Sequence, residues 1–175
     1  QKIEKRISIT PEIAKKYIGL GFEVHIVENY GKHLGFENKE YLDFGVKVIG
    51  DEKEIIQNAD VIIQLGLPND SKISLLKSNQ TIIGVLNPYE NKDKLKEISK
   101  KNVNLFSLEL LPRITRAQSM DILSSQANLA GYKAVIESFA EFKKAIPMMM
   151  TAAGTVPAAK VLVVGAGVAG LQAIA

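Results

Sequence analysis

The sequence of 175 residues contains no cysteine and only two histidines, His25 and His33. Without cysteine the chain has no disulfide framework, no thiolate nucleophile and no cysteine-based zinc site. Neither histidine belongs to a cluster with carboxylates at ligand spacing, so we expect no metal site. No apolar run reaches the ~18 residues that a membrane-spanning helix needs, and we expect no membrane span in this chain.

Arginine is also scarce: the three arginines are Arg6, Arg113 and Arg116, and two of them fall within one short segment. The net charge of +3 comes mostly from scattered lysines, without interleaved aromatic residues or a motif that enters a nucleic-acid groove. We therefore expect no nucleic-acid partner. Hydrophobic residues make up 46% of the chain and charged residues 23%, which is typical of a globular protein and excludes a disordered or collagen-like chain.

Short apolar runs alternate with amphipathic segments along the chain. Four runs rich in Val, Ile, Leu and Phe predict buried strands at residues 22–27, 61–65, 81–86 and 103–108. Between them the pattern predicts helices at residues 11–19, 39–44, 51–58, 71–77 and 91–100. Thr10 before Pro11 is a typical N-cap for the first of these helices. This alternation predicts an α/β fold with a doubly wound, mainly parallel, Rossmann-like sheet.

After Leu111 the pattern changes to a loop, a long helical pattern over residues 117–144, a turn and an apolar strand over residues 159–164. We predict an N-terminal α/β domain over residues 1–130 and a connecting helix and hinge over residues 131–155. Residues 156–175 would then be the first strand, Gly-rich turn and helix start of a second Rossmann domain, one that binds NAD. Because the chain opens at Gln1 and stops inside a helical pattern, we expect a fragment of a longer protein.

Gly165, Gly167 and Gly170 form a G-x-G-x-x-G pattern between the last predicted strand and a helix. The first glycine permits the tight turn, the second lets the backbone approach a pyrophosphate, and the third lets the helix pack on the strand. These glycines, with Val168 between them, are our predicted cofactor-binding residues. The alternative is a tight turn without a ligand. The acidic residue that would contact the ribose should lie ~20 residues on, past Ala175, so the motif leaves NAD versus NADP open.

A second group of polar residues follows helical spacing, because Gln118, Asp121, Ser125 and Asn128 fall within about a quarter-turn. The opposite face of this predicted helix is apolar, and we expect it to pack on a sheet. Its residues are Met120, Leu123, Ala127 and Ala130.

A purely structural interpretation of this segment is available. Thr115 and Gln118 have the spacing of a capping box, and Asp121 would complement the helix dipole. That interpretation leaves unexplained why Arg113 and Arg116, two of only three arginines, lie beside these residues. We therefore favour a functional role for the segment.

Three segments together resemble the alanine dehydrogenase and pyridine nucleotide transhydrogenase family. They are PRITRAQSMDILSSQANLAGY at residues 112–132, MMMTAAGTVP at residues 148–157 and VLVVGAGVAG at residues 161–170. The resemblance covers the whole chain, and within the family it is closer to the NAD(H)-binding alpha component of proton-translocating transhydrogenases. It implies direct hydride transfer between NADH, bound by this component, and NADP⁺, bound by a partner domain.

The resemblance also implies that one loop lies beside the nicotinamide of bound NADH. In this sequence the loop and its neighbours would be Arg113, Ile114, Thr115, Gln118, Asp121 and Ser124. Gln118 would hold the nicotinamide end and is the catalytic residue that we expect. Hydride passes directly between two nicotinamides, so the protein needs to orient them and exclude water rather than supply an acid or base. An Arg113–Asp121 ion pair could fix the loop.

The amino-acid dehydrogenases of the family are the main alternative function. Resemblance to them implies an Arg, a Lys and a His around the substrate, at positions that here hold Arg6, Gly66 and Asn87. Deamination needs a titratable group near the amine carbon, and neither glycine nor asparagine supplies one. A second alternative is a nucleotide-binding module without catalysis.

The family resemblance further implies partners and a location. We expect a homodimer of this component that docks with an NADP(H)-binding domain and with a membrane-spanning, proton-translocating component. It would lie peripherally on the cytoplasmic side of the inner (plasma) membrane. Because residues 156–175 hold only the start of a nucleotide-binding sheet, we expect activity from the intact protein and none from the fragment alone.

Overall fold

The computed structural model describes residues 4–175, so residues 1–3 of the predicted first domain lie outside the described residues. The chain divides into two units, one ending at Leu110 and one beginning at Leu111. The predicted domain boundaries at residues 130 and 155 remain predictions. The elements of the first unit are α1 (Pro11–Gly19), β1 (His25–Val27), α2 (Asn38–Leu42), β2 (Lys47–Ile49), α3 (Glu52–Asn58), β3 (Val61–Gln64), α4 (Asp70–Leu75), β4 (Thr81–Gly84), α5 (Lys92–Lys100) and β5 (Asn104–Ser107).

Local signals set the bounds of α1. The side chain of Thr10 accepts a hydrogen bond from the N–H of Ile13 at 3.5 Å, and Pro11 occupies the first helical position. The helix ends before Gly21, which adopts a φ of +90° that L-residues rarely take. The predicted helix over residues 11–19 is confirmed at both ends.

The strands of the first unit form two parallel ladders. β3, β4 and β5 lie side by side, with Val61 opposite Thr81 and Thr81 opposite Asn104. β1 and β2 form a second ladder that starts with His25 opposite Lys47. The predicted α/β architecture with parallel strands is confirmed, although each strand is shorter than its apolar run. Nothing in the sequence predicts β2, because three residues that are exposed or half-buried leave no apolar run.

Each ladder has its own apolar core. One core contains Ile56, Ile73, Leu76, Ile82, Leu86, Ile98 and Val103, and the other contains Ala14, Val24, Ile26, Tyr41 and Val46. Ile82 and Ile98 are fully buried in the first core, and such a side chain stabilises the fold by about 1.5–3 kcal/mol. In the second core the Tyr41 hydroxyl donates to the carbonyl of Ile9 at 3.0 Å, which ties the segment before α1 to the ladder.

The second unit is mainly helical. It contains a 3₁₀ helix (Thr115–Met120), α6 (Ile122–Glu141), a hairpin of β6 (Met149–Thr151) and β7 (Gly154–Val156), and α7 (Val168–Ile174). The predicted continuous helix over residues 117–144 is wrong. Asp121 has φ −75° and ψ 88°, which is not helical, and its carboxylate accepts from the N–H of Ser124 as the N-cap of α6. The α-helix therefore begins one residue later.

Two further expectations for this unit are corrected. The predicted strand over residues 159–164 is not formed, because a strand needs a hydrogen-bonded neighbour and this segment pairs with no strand in the described part of the chain. The apolar face of α6 does not pack on a sheet, since Met120 and Leu123 remain 51% and 46% exposed. In this unit α6 instead contacts α7, at Gly131.

Gln80 provides a test of the first unit. Its side chain is buried, accepts from the N–H of Lys77 and donates to the carbonyls of Ile56 and Ala59, each at 2.7 Å. Gln80→Met keeps the approximate volume but leaves these backbone groups without partners, which should cost about 2–3 kcal/mol in urea unfolding.

The matched control is Gln57→Met on the exposed face of α3, which should change the free energy of unfolding by less than about 0.5 kcal/mol. Equal losses in the two variants would contradict this account of Gln80.

Candidate functional site

The loop that leads into α6 encloses a pocket of about 330 Å³. Ala117, which is buried, anchors the 3₁₀ helix, while the polar side chains around it stay accessible. The structure brings the six residues of the predicted loop together in the pocket wall: Arg113, Ile114, Thr115, Gln118, Asp121 and Ser124. That these residues bind a nicotinamide stays a prediction.

The Asp121 carboxylate is held by Ser124. It accepts hydrogen bonds from the Ser124 N–H at 2.9 Å and from the Ser124 hydroxyl at 2.7 Å. These two bonds, with a smaller contribution from the positive charge of Arg113, lower the pKa of Asp121 below its ordinary value of 3.8. The expected Arg113–Asp121 ion pair is not formed within the described residues, so the helix cap fixes the loop instead.

The capping-box interpretation of Thr115 and Gln118 is wrong. The N-cap position of the 3₁₀ helix is Ile114, which has no side-chain hydrogen bond to the helix. In residues 4–175 the Gln118 amide makes no hydrogen bond and is exposed. Its donor and acceptor are therefore available to a ligand in the pocket.

A second pocket of about 660 Å³ adjoins the first and leads toward the Gly-rich turn. Gln118, Asp121 and Ser124 line both pockets, and Asn128 and Val168 line the second. Since Val168 is the first residue of α7, one continuous surface connects the predicted nicotinamide loop with the predicted pyrophosphate turn. Both pockets lie entirely within the second unit.

The backbone of the Gly-rich turn suits a dinucleotide. Gly165 has a φ of +103°, and a side chain at Gly165 or Gly167 would point into open space. A Cβ at Gly170 would overlap the carbonyl of Gly165, so only glycine allows α7 to pack on the turn. The three glycines therefore fit the roles of a tight turn, a close approach to phosphate and close helix packing.

The three positions that would serve an amino-acid dehydrogenase lie in the first unit. Arg6 forms an ion pair with Glu4, Nη2 to Oε2 at 2.7 Å, and this partner lowers the pKa of Glu4 to about 2. Gly66 follows β3. Asn87 follows β4 with a φ of +46° and donates its backbone N–H to the Glu109 carboxylate at 2.5 Å.

Sequence reasoning missed Glu109. Its carboxylate accepts from the N–H of Asn87 and, at 3.3 Å, from that of Leu86, so it holds the turn after β4. The signal available was an acidic residue just after a predicted strand, where the carboxyl ends of parallel strands meet. Sequence reasoning also missed the contact of Asn128 with Gln172 and the close approach at Gly131, which lie far apart in sequence from their partners.

Comparison with known proteins assigns the family. Residues 1–130 match the family described as Alanine dehydrogenase/PNT, N-terminal domain, and residues 134–175 match the corresponding C-terminal domain. The chain belongs to the alanine dehydrogenase and pyridine nucleotide transhydrogenase (PNT) family.

Curated relatives of this PNT-family chain carry transhydrogenase names. The chain is 46% identical to a Rickettsia prowazekii protein named for NAD(P) transhydrogenase subunit alpha, over 99% of the chain and 46% of that protein. It is 40% identical to the NAD(P) transhydrogenase subunit alpha of Haemophilus influenzae, over 98% of the chain and 33% of that protein. The chain thus spans about half the length, or less, of the curated relatives it matches.

Solved structures agree with this assignment. A transhydrogenase from Sinorhizobium meliloti superposes with a TM-score of 0.92 and 45% identity, covering 99% of this chain and 52% of that one. An L-alanine dehydrogenase superposes with a TM-score of 0.80 at 18% identity, over 99% of this chain and 48% of that one, which shows a shared fold alone. The predicted doubly wound, Rossmann-like fold class of this PNT-family chain is confirmed.

Two further findings concern residues 4–175 of the PNT-family chain. No helix there is both long and apolar enough to span a membrane. The same residues contain no group of three or more His, Asp or Glu side chains placed to hold a metal ion.

Titration of Asp121 tests the geometry of the loop. By carbon NMR its carboxyl group should titrate below 3.8, and Ser124→Ala should raise that midpoint part of the way, because only the backbone donor remains. Since the pKa is depressed in the folded state, the carboxylate stabilises the fold above pH 3.8, and this stabilisation is lost as pH falls through the folded-state pKa.

Asp121→Asn keeps an oxygen that can cap α6 and should remove this pH dependence. Ser138→Ala, farther along α6, is the matched control and should leave the Asp121 midpoint unchanged. An unchanged midpoint in Ser124→Ala would contradict the assigned hydrogen bonds.

Proposed function

We propose that this chain is the NAD(H)-binding part of a proton-translocating NAD(P) transhydrogenase, which transfers hydride directly between NADH and NADP⁺. One observation carries the proposal: the six loop residues share a pocket wall, and that wall continues to the Gly-rich turn. The family assignment and the relatives named as transhydrogenase subunits support it.

Gln118 is the catalytic residue in this proposal. Its exposed amide offers one acceptor and two donors, which match the carboxamide of a nicotinamide. The Asp121–Ser124 cap holds the loop at the start of α6, so Gln118 is presented from a rigid element. NADH, when bound, supplies the hydride. The protein's part is to fix the orientation of the nicotinamide and to keep water away.

Arg113 and the Gly-rich turn would hold the charged part of the dinucleotide. The Arg113 guanidinium lines the first pocket and makes no ion pair with Asp121, so it is available to an anionic group. Gly165, Gly167 and Gly170 allow the backbone to approach a pyrophosphate, beside Val168 at the start of α7. Ile114 and Thr115 complete the pocket wall.

Amino-acid dehydrogenation is the less favoured function. Gly66 and Asn87 offer no titratable group, and the Asn87 backbone is committed to Glu109. Arg6, which remains, is engaged by Glu4.

The proposal includes partners for this chain. NADP(H) would be bound by a separate domain, and a membrane-spanning component would couple hydride transfer to proton translocation. The words "subunit alpha" in the relatives' names support a complex of several subunits. We propose that this component acts as a homodimer on the cytoplasmic side of the plasma membrane, and that activity belongs to the intact protein rather than to these 175 residues alone.

Gln118→Asn tests the assigned catalytic residue. Shortening the side chain by one methylene withdraws the amide from the nicotinamide, so hydride transfer should fall about 100-fold while the Kd for NADH rises less than about fivefold. The assay mixes the full-length polypeptide with an NADP(H)-binding partner domain and follows NADH-dependent reduction of an NADP⁺ analogue. Gln57→Asn on α3 is the matched control and should retain full activity.

Unchanged turnover in Gln118→Asn would overturn the role of Gln118. A wild-type protein that binds NADH yet transfers no hydride would instead support a non-catalytic nucleotide-binding module.

Alanine with NAD⁺ separates the two enzymatic functions. The wild-type protein should show no alanine-dependent NADH formation, because neither Gly66 nor Asn87 can accept or donate a proton. The same preparation should reduce the NADP⁺ analogue, which controls for active protein. Measurable alanine oxidation would make this chain part of an amino-acid dehydrogenase with a rearranged site.

A further inference from the structure

The backbones of α6 and α7 touch directly at Gly131. Gly131 is the buried residue of α6, and a Cβ there would overlap the carbonyl group of Ala169 in α7. No side chain separates the two helices at this point, so their distance is set by backbone contact. Such a contact alone still allows one helix to rotate or slide on the other.

A hydrogen bond lies one turn away on both helices. The Asn128 side chain donates from Nδ2 to Oε1 of Gln172 at 2.8 Å, and these residues lie three positions from Gly131 and Ala169, respectively. Residues three apart share a helix face, so the two contacts lie on the same pair of faces. A directional bond beside a close backbone contact restricts the rotation that the contact allows.

The two helices carry the two halves of the candidate site. α6 begins at the Asp121 cap beside Gln118, and α7 begins at Val168 in the Gly-rich turn. Asn128 and Val168 both line the pocket that connects these halves. Asp121 precedes Asn128 by seven residues, about 10 Å along the helix, so a small rotation at the crossing moves the loop relative to the turn.

We propose that the Asn128–Gln172 hydrogen bond is a positioning clamp that holds the nicotinamide loop at the distance from the Gly-rich turn that one dinucleotide can span. This inference rests on the proposed function. Asn128 acts here through α7 and is a positioning residue. A ligand that reaches both halves depends on the clamp, whereas a ligand that reaches only the turn does not.

The experiment compares two ligands in the full-length protein. NADH spans both halves, and ADP-ribose carries the pyrophosphate but lacks the nicotinamide. Asn128→Ala should raise the Kd for NADH about fivefold and change that for ADP-ribose less than about twofold, in line with the loss of one hydrogen bond. Gln172→Ala should have the same effect, and the double variant should lose no more than either single variant.

Exchange of the two side chains provides a rescue. In Asn128→Gln with Gln172→Asn the combined length is unchanged, so the bond can reform, and the Kd for NADH should return to within about twofold of wild type. Lys133→Ala on the exposed side of α6 is the matched control and should leave both ligands unaffected. Thermal unfolding of each variant reports on folding separately.

Each result bears on the proposal. Equal weakening of NADH and ADP-ribose would mean that the pair only stabilises α7, and this would overturn the clamp. Unchanged NADH binding in Asn128→Ala would overturn it as well, with the proposed function intact if the wild type transfers hydride. A wild-type protein that does not bind NADH would overturn the proposed function and the clamp together.

Discussion

The carboxylate of Asp121 determines where the long helix of the second unit begins, and the geometry of the candidate site depends on that point. With its φ and ψ outside the helical region, Asp121 separates the 3₁₀ helix from α6 and caps the latter through Ser124. Because 3₁₀ and α-helices project side chains at different spacing, Gln118 leaves the face that carries Ser125 and Asn128. The same two hydrogen bonds occupy the carboxylate, and the Arg113 side chain remains available to an anionic ligand.

Small residues provide the second constraint, because they bring backbones into contact. Gly131 allows α6 to touch Ala169, and Gly170 allows α7 to touch the carbonyl of Gly165. Backbone contacts cannot adjust as flexible side chains do, so they fix the distances between the loop, α6, α7 and the Gly-rich turn. A ligand that must contact several of these elements at once benefits from such preorganisation.

Local signals made α1 and the strands β3, β4 and β5 predictable, because caps and apolar runs act over a few residues. The continuous helix over residues 117–144 was wrong since Asp121 serves equally as a dipole partner or a cap, and the pattern does not distinguish these roles. The strand over residues 159–164 needed a partner that apolar composition cannot supply. The loop residues and glycines were predictable from motif and resemblance, whereas Asn128 and Gln172 are 44 residues apart and leave no local signal.

The fold by itself does not decide between hydride exchange and deamination, because an L-alanine dehydrogenase shares it at 18% identity. The decision lies in side chains. After β4 the chain turns at Asn87 with a positive φ, and Glu109 accepts both neighbouring backbone N–H groups, so the turn is rigid but offers no proton to a substrate. The loop before α6 instead presents the neutral amide of Gln118. Rigid support together with a neutral amide suits a protein that orients a nicotinamide, because orientation requires fixed hydrogen bonds and no change of protonation.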